Sequence, residues 1–222
     1  MILVAQFGNG DPITGQVSDQ GNGTTVGVFK WTPLLSQRGQ KIPITLKAID
    51  IEGAITTQMV LVSVTTPPVI PVIWTAAQGV VITGNTITKS TPTFWGNAGA
   101  TSTLSFAGNG SVEFKVGQVN TSVVCGLSSS NKDANYTTIA YGIYLHNGTI
   151  EVLENGVKKG AFGTYQINDR MKVERTKTTV VYKHNDVIFY TSTRTSSGSL
   201  LVDSALYDKG ASINEAQIAG AL

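Results

Sequence analysis

Charge, cysteine and long apolar runs are all scarce in this chain of 222 residues. Charged residues make up 14% of it, with 16 basic and 14 acidic side chains and a formal net charge of +2; a globular protein ordinarily has about 25%. The longest basic cluster is Lys158-Lys159, so we expect no nucleic-acid partner. No apolar run approaches the roughly 18 residues that span a membrane, so we expect no membrane insertion.

Residue types that carry chemistry are equally scarce. Cys125 is the single cysteine, which excludes an internal disulfide, and its apolar neighbours predict a small core residue. His146 and His184 are the two histidines, too few for a His-based zinc site, and each lies beside an Asn turn. Neither a phosphate-binding glycine loop nor a Gly-x-Ser-x-Gly turn is present. We therefore expect no catalytic residues, no metal site and no cofactor.

Short alternating strands separated by Asn-Gly turns fill most of the sequence. Asn-Gly between two strands is the strongest local hairpin signal, because both turn residues must adopt positive φ. The turn candidates are Gly84-Asn85, Asn109-Gly110, Asn147-Gly148 and Asn155-Gly156. Strands recurring every 8 to 12 residues predict an all-β sandwich. The nearest candidate for a helix is a turn or two between Ile213 and Ala221.

A proline-rich stretch at residues 67–71 divides the chain. Prolines at 67, 68 and 71 favour a stiff, extended connector. We therefore predict a small β-domain over residues 1–66, a linker over 67–71 and a larger β-domain over 72–222.

The first domain resembles the bacterial immunoglobulin-like and cadherin-like repeats of cell-surface proteins. The resemblance is carried by Phe29, Trp31, Pro33, Gly39, Ala48, Asp50 and Gly53. It implies a small β-sandwich with Trp31 in the centre of the core and a tight turn at Asp50 and Gly53.

The second domain resembles the concanavalin A-like jelly-roll modules of large bacterial surface proteins, with hairpins similar to those of SPRY and laminin-G sandwiches. The resemblance spans about residues 72–220 and is carried by Trp74 and the stretches 84–89, 95–102, 110–114, 126–128, 141–143, 152–156 and 180–187. Asn185-Asp186 replaces the usual Asn-Gly, which the left-handed conformation tolerates. The resemblance implies a jelly roll that binds glycans or mediates adhesion, although this fold hosts many functions.

Glycosidases also use this fold, and their activity depends on paired carboxylates. A retaining glycosidase needs two carboxyl groups about 5–5.5 Å apart. The nearest pair on one strand is Glu151 and Glu154, which are three residues apart and therefore point to opposite faces. The geometry favours a protein that is not an enzyme.

A glycan site usually combines an exposed aromatic ring with amide or carboxylate partners for the sugar hydroxyls. The candidates are Trp95 and Asn97, in a loop-like stretch after Pro92, together with Tyr136, Tyr141 and Tyr144. Tyr141 and Tyr144 lie on opposite faces of one strand, and either could look onto a concave sheet surface. The structural alternative is that Trp95 plugs one end of the sandwich.

Calcium is a separate alternative, because sandwich lectins often place oxygen ligands in loops. Asp133 with Asn131 and Asn135, or Asp203 with Asp208, would supply such oxygens. No Asp-x-Asp-x-Asp-Gly loop is present, and an ordinary turn accounts for each group.

The predicted function is a non-enzymatic carbohydrate-binding or adhesion module of a secreted or surface-displayed bacterial assembly. Its expected partners are a glycan or cell-surface polysaccharide and neighbouring subunits of that assembly, and its expected location is extracellular or at the cell surface. The first alternative is a structural or decoration protein of a phage virion, which Met1 without a signal sequence would suit. The others are a degenerate glycosidase and a spacer without a ligand.

Overall fold

The computed structural model of the chain describes residues 1–65 and 68–221, without the side chains of Leu35 and Ala221. The chain divides into two compact units, Met1–Thr66 (unit 1) and Pro67–Leu222 (unit 2). Among the described residues the helical elements are two single 3-10 turns, Leu35–Gln37 and Tyr136–Thr138, and all other regular elements are strands. The all-β prediction is confirmed.

Unit 1 contains a four-stranded antiparallel sheet and a separate two-stranded ribbon. The sheet has the order β2-β1-β5-β6, and β3 pairs with β4 in the ribbon. Within it, β5 and β6 pair over nine consecutive positions without a bulge, from Lys41 opposite Ser63 to Ile49 opposite Ile55. The strands are β1 (Ile2–Phe7), β2 (Pro12–Ile13), β3 (Gly15–Asp19), β4 (Thr25–Phe29), β5 (Lys41–Ile49) and β6 (Ile55–Ser63).

The core of unit 1 is small, and this differs from the predicted immunoglobulin-like sandwich. Its buried apolar side chains among the described residues are Ala5, Ile13 and Val64. Trp31 does not fill a closed core: it is half-buried and packs edge-on against Phe7, with ring centroids 5.4 Å apart. A two-stranded ribbon is too narrow to cover a four-stranded sheet, so the tryptophan stays at a partly open boundary.

Unit 2 is a two-layered jelly-roll sandwich joined by one long strand. The front sheet has the order β15-β14-β13-β12-β19 and ends on the first half of β11; the second half of β11 lies in the back sheet, between β16 and β20. The strands are β7 (Val69–Pro71), β8 (Trp74–Gln78), β9 (Val80–Thr83), β10 (Thr86–Lys89), β11 (Gly99–Val116), β12 (Val123–Ser128), β13 (Tyr141–His146), β14 (Thr149–Glu154), β15 (Val157–Thr164), β16 (Arg170–Thr176), β17 (Thr179–His184), β18 (Val187–Thr191), β19 (Ser199–Leu206) and β20 (Ser212–Ala221).

The two sheets of unit 2 enclose a large core. Inward-facing side chains such as Ile143 and Val152 from the front sheet meet Val173 and Ile218 from the back sheet in one buried cluster. Cys125 belongs to this cluster and is a free, fully buried thiol whose pKa burial raises. The prediction of a core cysteine is confirmed.

Most of the predicted hairpin turns are present. Asn147 and Gly148 have φ of 44° and 76°, and Asn155 and Gly156 have 49° and 75°, so both pairs form two-residue turns. Asn185-Asp186 also adopts positive φ, at 47° and 65°.

The turn predicted at Asn109-Gly110 is wrong, because both residues lie inside β11. The pairing of β11 with β20 shifts register between Ala107 and Gly110, and this bulge lies where β11 passes from one sheet to the other. A Cβ on Gly110 would come 2.3 Å from the ring of Phe106. Glycine is therefore required here for packing rather than for a turn.

Two further predictions differ from the structure. The stretch from Ile213 to Ala221 is strand rather than helix, because β20 lies between β11 and β7 and completes both ladders. Within the predicted linker, Pro67 lies outside the described residues and Val69–Pro71 forms β7, which pairs with β20. Pro71 has no N–H to donate to a second neighbour, and it fits β7 because β7 pairs with a strand on one side only.

Candidate ligand-binding face

Three of the five predicted site residues meet on the outer face of the front sheet of unit 2. The ring of Trp95 lies 4.8 Å from that of Tyr136 and 5.9 Å from that of Tyr144, measured between centroids. All three side chains are half-buried. They come from three separate segments: the loop after β10, the second 3-10 turn and strand β13.

Two residues that the sequence analysis did not select complete this cluster. Tyr207, just after β19, lies 5.1 Å from Trp95, and His146 stacks on Tyr144 at 4.5 Å with an interplanar angle of 17°. The signal for His146 was its position two residues after Tyr144, which places both on one face of β13. Trp95, Tyr136, Tyr144 and Tyr207 are called the aromatic surface below.

The aromatic surface rests on a small apolar layer of its own, separate from the main core. This layer consists of Val124, Ile139, Leu153 and Ala205, all buried, with Trp95, Tyr136 and Tyr144 packed against it. The three residues pack on this layer and remain half-buried rather than fully buried. The structural alternative, in which Trp95 closes one end of the sandwich, stays open beside the ligand-binding prediction.

A buried lysine holds the loop that carries Trp95. Lys89 is 2% exposed, and its Nζ donates to the carbonyl oxygens of Phe94 (2.6 Å) and Leu206 (2.9 Å) and to Oδ1 of Asn97. Burial lowers the pKa of the Lys89 ammonium, and the charge of Asp208 offsets part of that effect. Three oxygen acceptors replace the water that the ammonium loses, so the loop is tied to β19 at a fixed place.

Asn97 therefore has a positioning role rather than the predicted ligand contact. Its Oδ1 accepts from Lys89 and its Nδ2 donates to the carbonyl oxygen of Pro92 at 3.1 Å. Both ends of the amide are occupied within the loop, so the side chain braces the segment around Trp95.

Tyr136 is positioned by hydrogen bonds within its own segment. The Asn135 side chain accepts from the Thr137 backbone N–H at 3.2 Å and caps the 3-10 turn. Asp133 Oδ1 accepts from the Asn135 N–H at 2.8 Å and from the Thr138 hydroxyl at 2.9 Å. These oxygens, predicted as alternative calcium ligands, are engaged in turn and cap contacts.

Tyr141, in contrast, is not available to a ligand on this face. It is 3% exposed, belongs to the main core, and its hydroxyl donates to the Thr195 carbonyl oxygen at 3.1 Å. The guanidinium of Arg194 lies 5.0 Å from its ring centroid. The strand alternation that brings Tyr144 outward turns Tyr141 inward, so the prediction for Tyr141 is wrong.

A charged group borders the aromatic surface on the side of β14 and β15. Lys158 Nζ donates to Glu151 Oε1, and His146 Nε2 lies 3.1 Å from the same oxygen without the alignment of a hydrogen bond. Burial raises the pKa of the Glu151 carboxyl, but the hydrogen bond from Lys158 and the contact with His146 outweigh burial, and the net pKa lies below its usual value. Glu151 is therefore ionised at neutral pH and Lys158 is held beside it.

Glu151 and Glu154 point to opposite faces of β14, as their spacing predicts. Glu154 faces inward, where Tyr182 donates to its Oε1 at 3.0 Å. Because their carboxyl groups lie on opposite faces of β14, Glu151 and Glu154 do not form a carboxylate pair on the outer face.

Apart from the aromatic surface, unit 2 has a polar cavity of about 180 Å³ that is lined in part by residues 131–134. Its lining includes Asp133 and Asp203, the latter 1% exposed with a buried Oδ2 that has no hydrogen-bond partner. Burial and the charge of Asp133 raise the pKa of Asp203 to about 6, against hydrogen bonds from Ser128 and the Ser204 N–H.

The alternative calcium pair, Asp203 with Asp208, is not brought together. Asp208 instead accepts from the Ser122 N–H at 2.8 Å beyond the end of β19. Over the described ranges, no group of three or more His, Cys, Asp or Glu side chains is placed to hold a metal ion. In the same ranges, no helix has the length and apolar character needed to cross a membrane.

No protein-family model matches the chain, and no curated protein sequence matches it. Solved structures do. The chain is similar to the PSpry domain of TRIM65, with a TM-score of 0.50 and 11% identity over 67% of this chain and 90% of that one. It is also similar to the exoplasmic/lumenal domain of VIP36 in its Ca²⁺/Man3GlcNAc-bound form, with a TM-score of 0.48 and 10% identity over 67% and 84%.

A further likeness is to alginate lyase AlgAT5 of polysaccharide lyase family 7, with a TM-score of 0.40 and 14% identity over 57% of this chain and 68% of that one. At such identities the likeness concerns the fold alone. The two-sheet topology of unit 2 and the likeness to the PSpry domain confirm the jelly-roll prediction, and the immunoglobulin-like resemblance gains no support. One fold can host unrelated functions, so the fold itself does not decide between a binding protein and an enzyme.

Proposed function

We propose that unit 2 binds carbohydrate at the aromatic surface. The observation that carries the proposal is the convergence of four half-buried rings from separate segments on the outer face of a jelly-roll sheet. Aromatic side chains needed only for packing lie in the main core, as Tyr141 and Tyr182 do. A cluster outside that core, with its own apolar support, suits a flat apolar ligand face.

The chemistry of a sugar ring fits this arrangement. Its C–H face would stack on Trp95 and Tyr136, while its hydroxyls would exchange hydrogen bonds with Tyr144, His146 and Lys158 at the border. Burial raises the pKa of the Tyr144 hydroxyl, so it stays protonated and can donate. Such a shallow site supports a dissociation constant of about 1 mM, near −4 kcal/mol, which several linked sites would strengthen.

The test is a glycan-array screen of the whole chain, with and without calcium, followed by variants. Trp95→Ala is expected to abolish binding to any glycan that scores, and Tyr136→Ala to weaken it at least about tenfold. Val187→Ala is the control, because Val187 is 70% exposed and lies on β18, at the edge of the back sheet. Its binding should be unchanged.

Two outcomes would contradict the proposal. One is an array without signal from a chain whose circular dichroism shows it folded, which would favour the structural or spacer alternatives. The other is binding that survives Trp95→Ala and Tyr136→Ala, which would place the ligand elsewhere. The predicted adhesive role, the surface or extracellular location and the virion alternative stay predictions.

A further inference from the structure

Strand β6 forms one edge of the unit 1 sheet and has none of the usual features that keep edge strands apart. It runs for nine residues, Ile55–Ser63, in unbroken register with β5. Its sequence, Ile-Thr-Thr-Gln-Met-Val-Leu-Val-Ser, contains neither a charge nor a proline. In the described part of the chain, no strand pairs with its other edge. Long, flat, uncharged edges are templates for pairing with another strand.

The other edge strands among the described residues are shorter than β6 or carry lysine. On the opposite edge of the same sheet, β2 has two residues and begins with Pro12. In unit 2, β15 carries Lys158 and Lys159 and pairs through register shifts, and β18 has five residues and a register shift of its own. Shortness, lysine, proline and bulges are the devices that block edge-to-edge association. β4 and β9 also lack charge and proline, but they have five and four residues, so it is the combination of length and neutrality that sets β6 apart.

Five of the nine side chains of β6 are apolar, and several of them are unusually exposed. Ile55, Met59 and Leu61 are 61%, 65% and 56% exposed and share the outer face of the sheet. On the inner face, Val60 and Val62 line an open apolar cleft together with Phe29 and Trp31. A contiguous apolar surface of this kind marks an interaction site rather than ordinary solvent-exposed strand.

We propose that β6 pairs with β6 of a second copy of this chain, antiparallel and about a two-fold axis at Met59. In this register Thr57 opposes Leu61 of the other copy, and Ile55 opposes Ser63. Outer-face residues then meet outer-face residues, so the exposed apolar side chains of the two copies become neighbours. The two four-stranded sheets join into one sheet of eight strands.

Charge supports a second copy as the occupant. A charged residue at the axis position would meet its own copy across the axis, which is destabilising; Met59 stands there, and the rest of β6 is also uncharged. The nearest charges are on β5, where Lys47 lies opposite Thr57 and Lys41 opposite Ser63. In the joined sheet, Lys47 lies opposite Thr57, which lies opposite Leu61 of the second copy, which in turn lies opposite Pro43 of that copy. No lysine of one copy therefore lies in the same cross-strand row as a lysine of the other. The surface is thus self-complementary, as a two-fold interface requires.

The test is sedimentation velocity of the whole chain up to about 500 µM, a range that detects weak dimers. A concentration-dependent dimer is expected. Met59→Lys would place two ammonium groups face to face on the axis and should weaken the dimer at least about tenfold. Met59→Glu should do the same, and an equimolar mixture of the two variants should dimerise again.

Val187→Lys is the matched control, since Val187 is 70% exposed and lies on the edge strand β18. It should leave the dimer intact. A monomer at every concentration would overturn the proposal, and so would a dimer that Met59→Lys leaves unchanged. If Met59→Lys and Val187→Lys weaken association equally, the contact is general stickiness and the assignment to β6 is wrong. Restored dimerisation in the mixture shows that the variants are folded.

Discussion

The two units differ in how completely each encloses its own apolar residues. In unit 2, Phe106, Phe114 and Tyr182 are at most 1% exposed, inside a core drawn from both sheets. In unit 1 the buried apolar residues of the described part are Ala5, Ile13 and Val64, whereas Ile55, Met59 and Leu61 are more than half exposed. A domain of about 60 residues buries too little surface to be more than marginally stable. Unit 2 therefore encloses its apolar residues by itself, whereas unit 1 leaves a large part of its apolar surface exposed.

Buried charges follow the same division. Every buried charged side chain among the described residues lies in unit 2, including Lys89, Arg175 and Asp203. An ion can be buried only where surrounding groups replace its hydration. Arg175 shows this: its guanidinium donates to the carbonyl oxygens of Gly108 (2.6 Å) and Gly198 (2.8 Å) and lies 5.3 Å from the Phe106 ring centroid. Unit 1 has no enclosure that could hold such a group.

Truncating one aromatic residue in each unit tests this difference most directly. Phe106→Ala removes a fully buried ring and should cost about 3–5 kcal/mol of the free energy of unfolding. Trp31→Ala removes a half-buried ring from an open boundary and should cost roughly 1–2 kcal/mol. Chemical denaturation, with amide exchange read separately for each unit, measures both. Equal losses would show that unit 1 has a core as closed as that of unit 2.

Lys89→Met tests whether the buried cation organises the aromatic surface. The change leaves the carbonyl oxygens of Phe94 and Leu206 and the amide of Asn97 without their donor. We expect a loss of about 2–4 kcal/mol and a shift in the fluorescence of Trp95. Lys132→Met, at an exposed lysine, is the control and should stay within about 0.5 kcal/mol. Wild-type stability in Lys89→Met would mean that the loop is held by other contacts.

Asp203→Asn should have a smaller, pH-dependent effect. The pKa of Asp203 is raised to about 6 in the folded chain, so the folded state binds the proton more tightly than the unfolded state, whose pKa is about 3.9. The carboxyl therefore favours folding below the unfolded pKa, and that contribution is lost as pH rises through about 6. Asparagine should raise stability by about 1–3 kcal/mol at pH 7 and leave it unchanged near pH 4. Thermal melts of both proteins between pH 4 and pH 7 measure this effect. A stability difference that does not change with pH would contradict the raised pKa of Asp203.

Local turn chemistry made much of the fold predictable from sequence. Asn147-Gly148 and Asn155-Gly156 require positive φ and lie between alternating strands, so their hairpins follow from nearest neighbours alone. Asn109-Gly110 carries the same signal, yet it lies inside β11 because long-range pairing with β16 and β20 on both sides overrides the local preference. A prediction from neighbouring residues has no access to that pairing.

The candidate site was predictable only in part, because residue type and strand alternation are local signals and do not contain the long-range pairing. Residue type and strand alternation selected Trp95, Tyr136 and Tyr144, but alternation leaves open which face is the core, and Tyr141 proved to be on the inner one. Tyr207 joins the cluster from a segment more than a hundred residues beyond Trp95, and its position depends on the pairing of β19 with β12. Asn97 has the composition of a ligand residue, and only its hydrogen bonds to Lys89 and Pro92 identify it as a brace.

Met59→Lys should have the smallest effect on the isolated chain, and this makes it the sharpest test of the incomplete edge. Because the Met59 side chain is 65% exposed, its replacement should change the free energy of unfolding by no more than about 0.5 kcal/mol when measured below the dimerisation range. At high concentration the wild-type melting temperature should rise, since association stabilises the folded state by mass action, and that of Met59→Lys should stay constant. A large loss of stability in the dilute variant would show that this side chain already supports unit 1, and the edge would then not be free for a second copy.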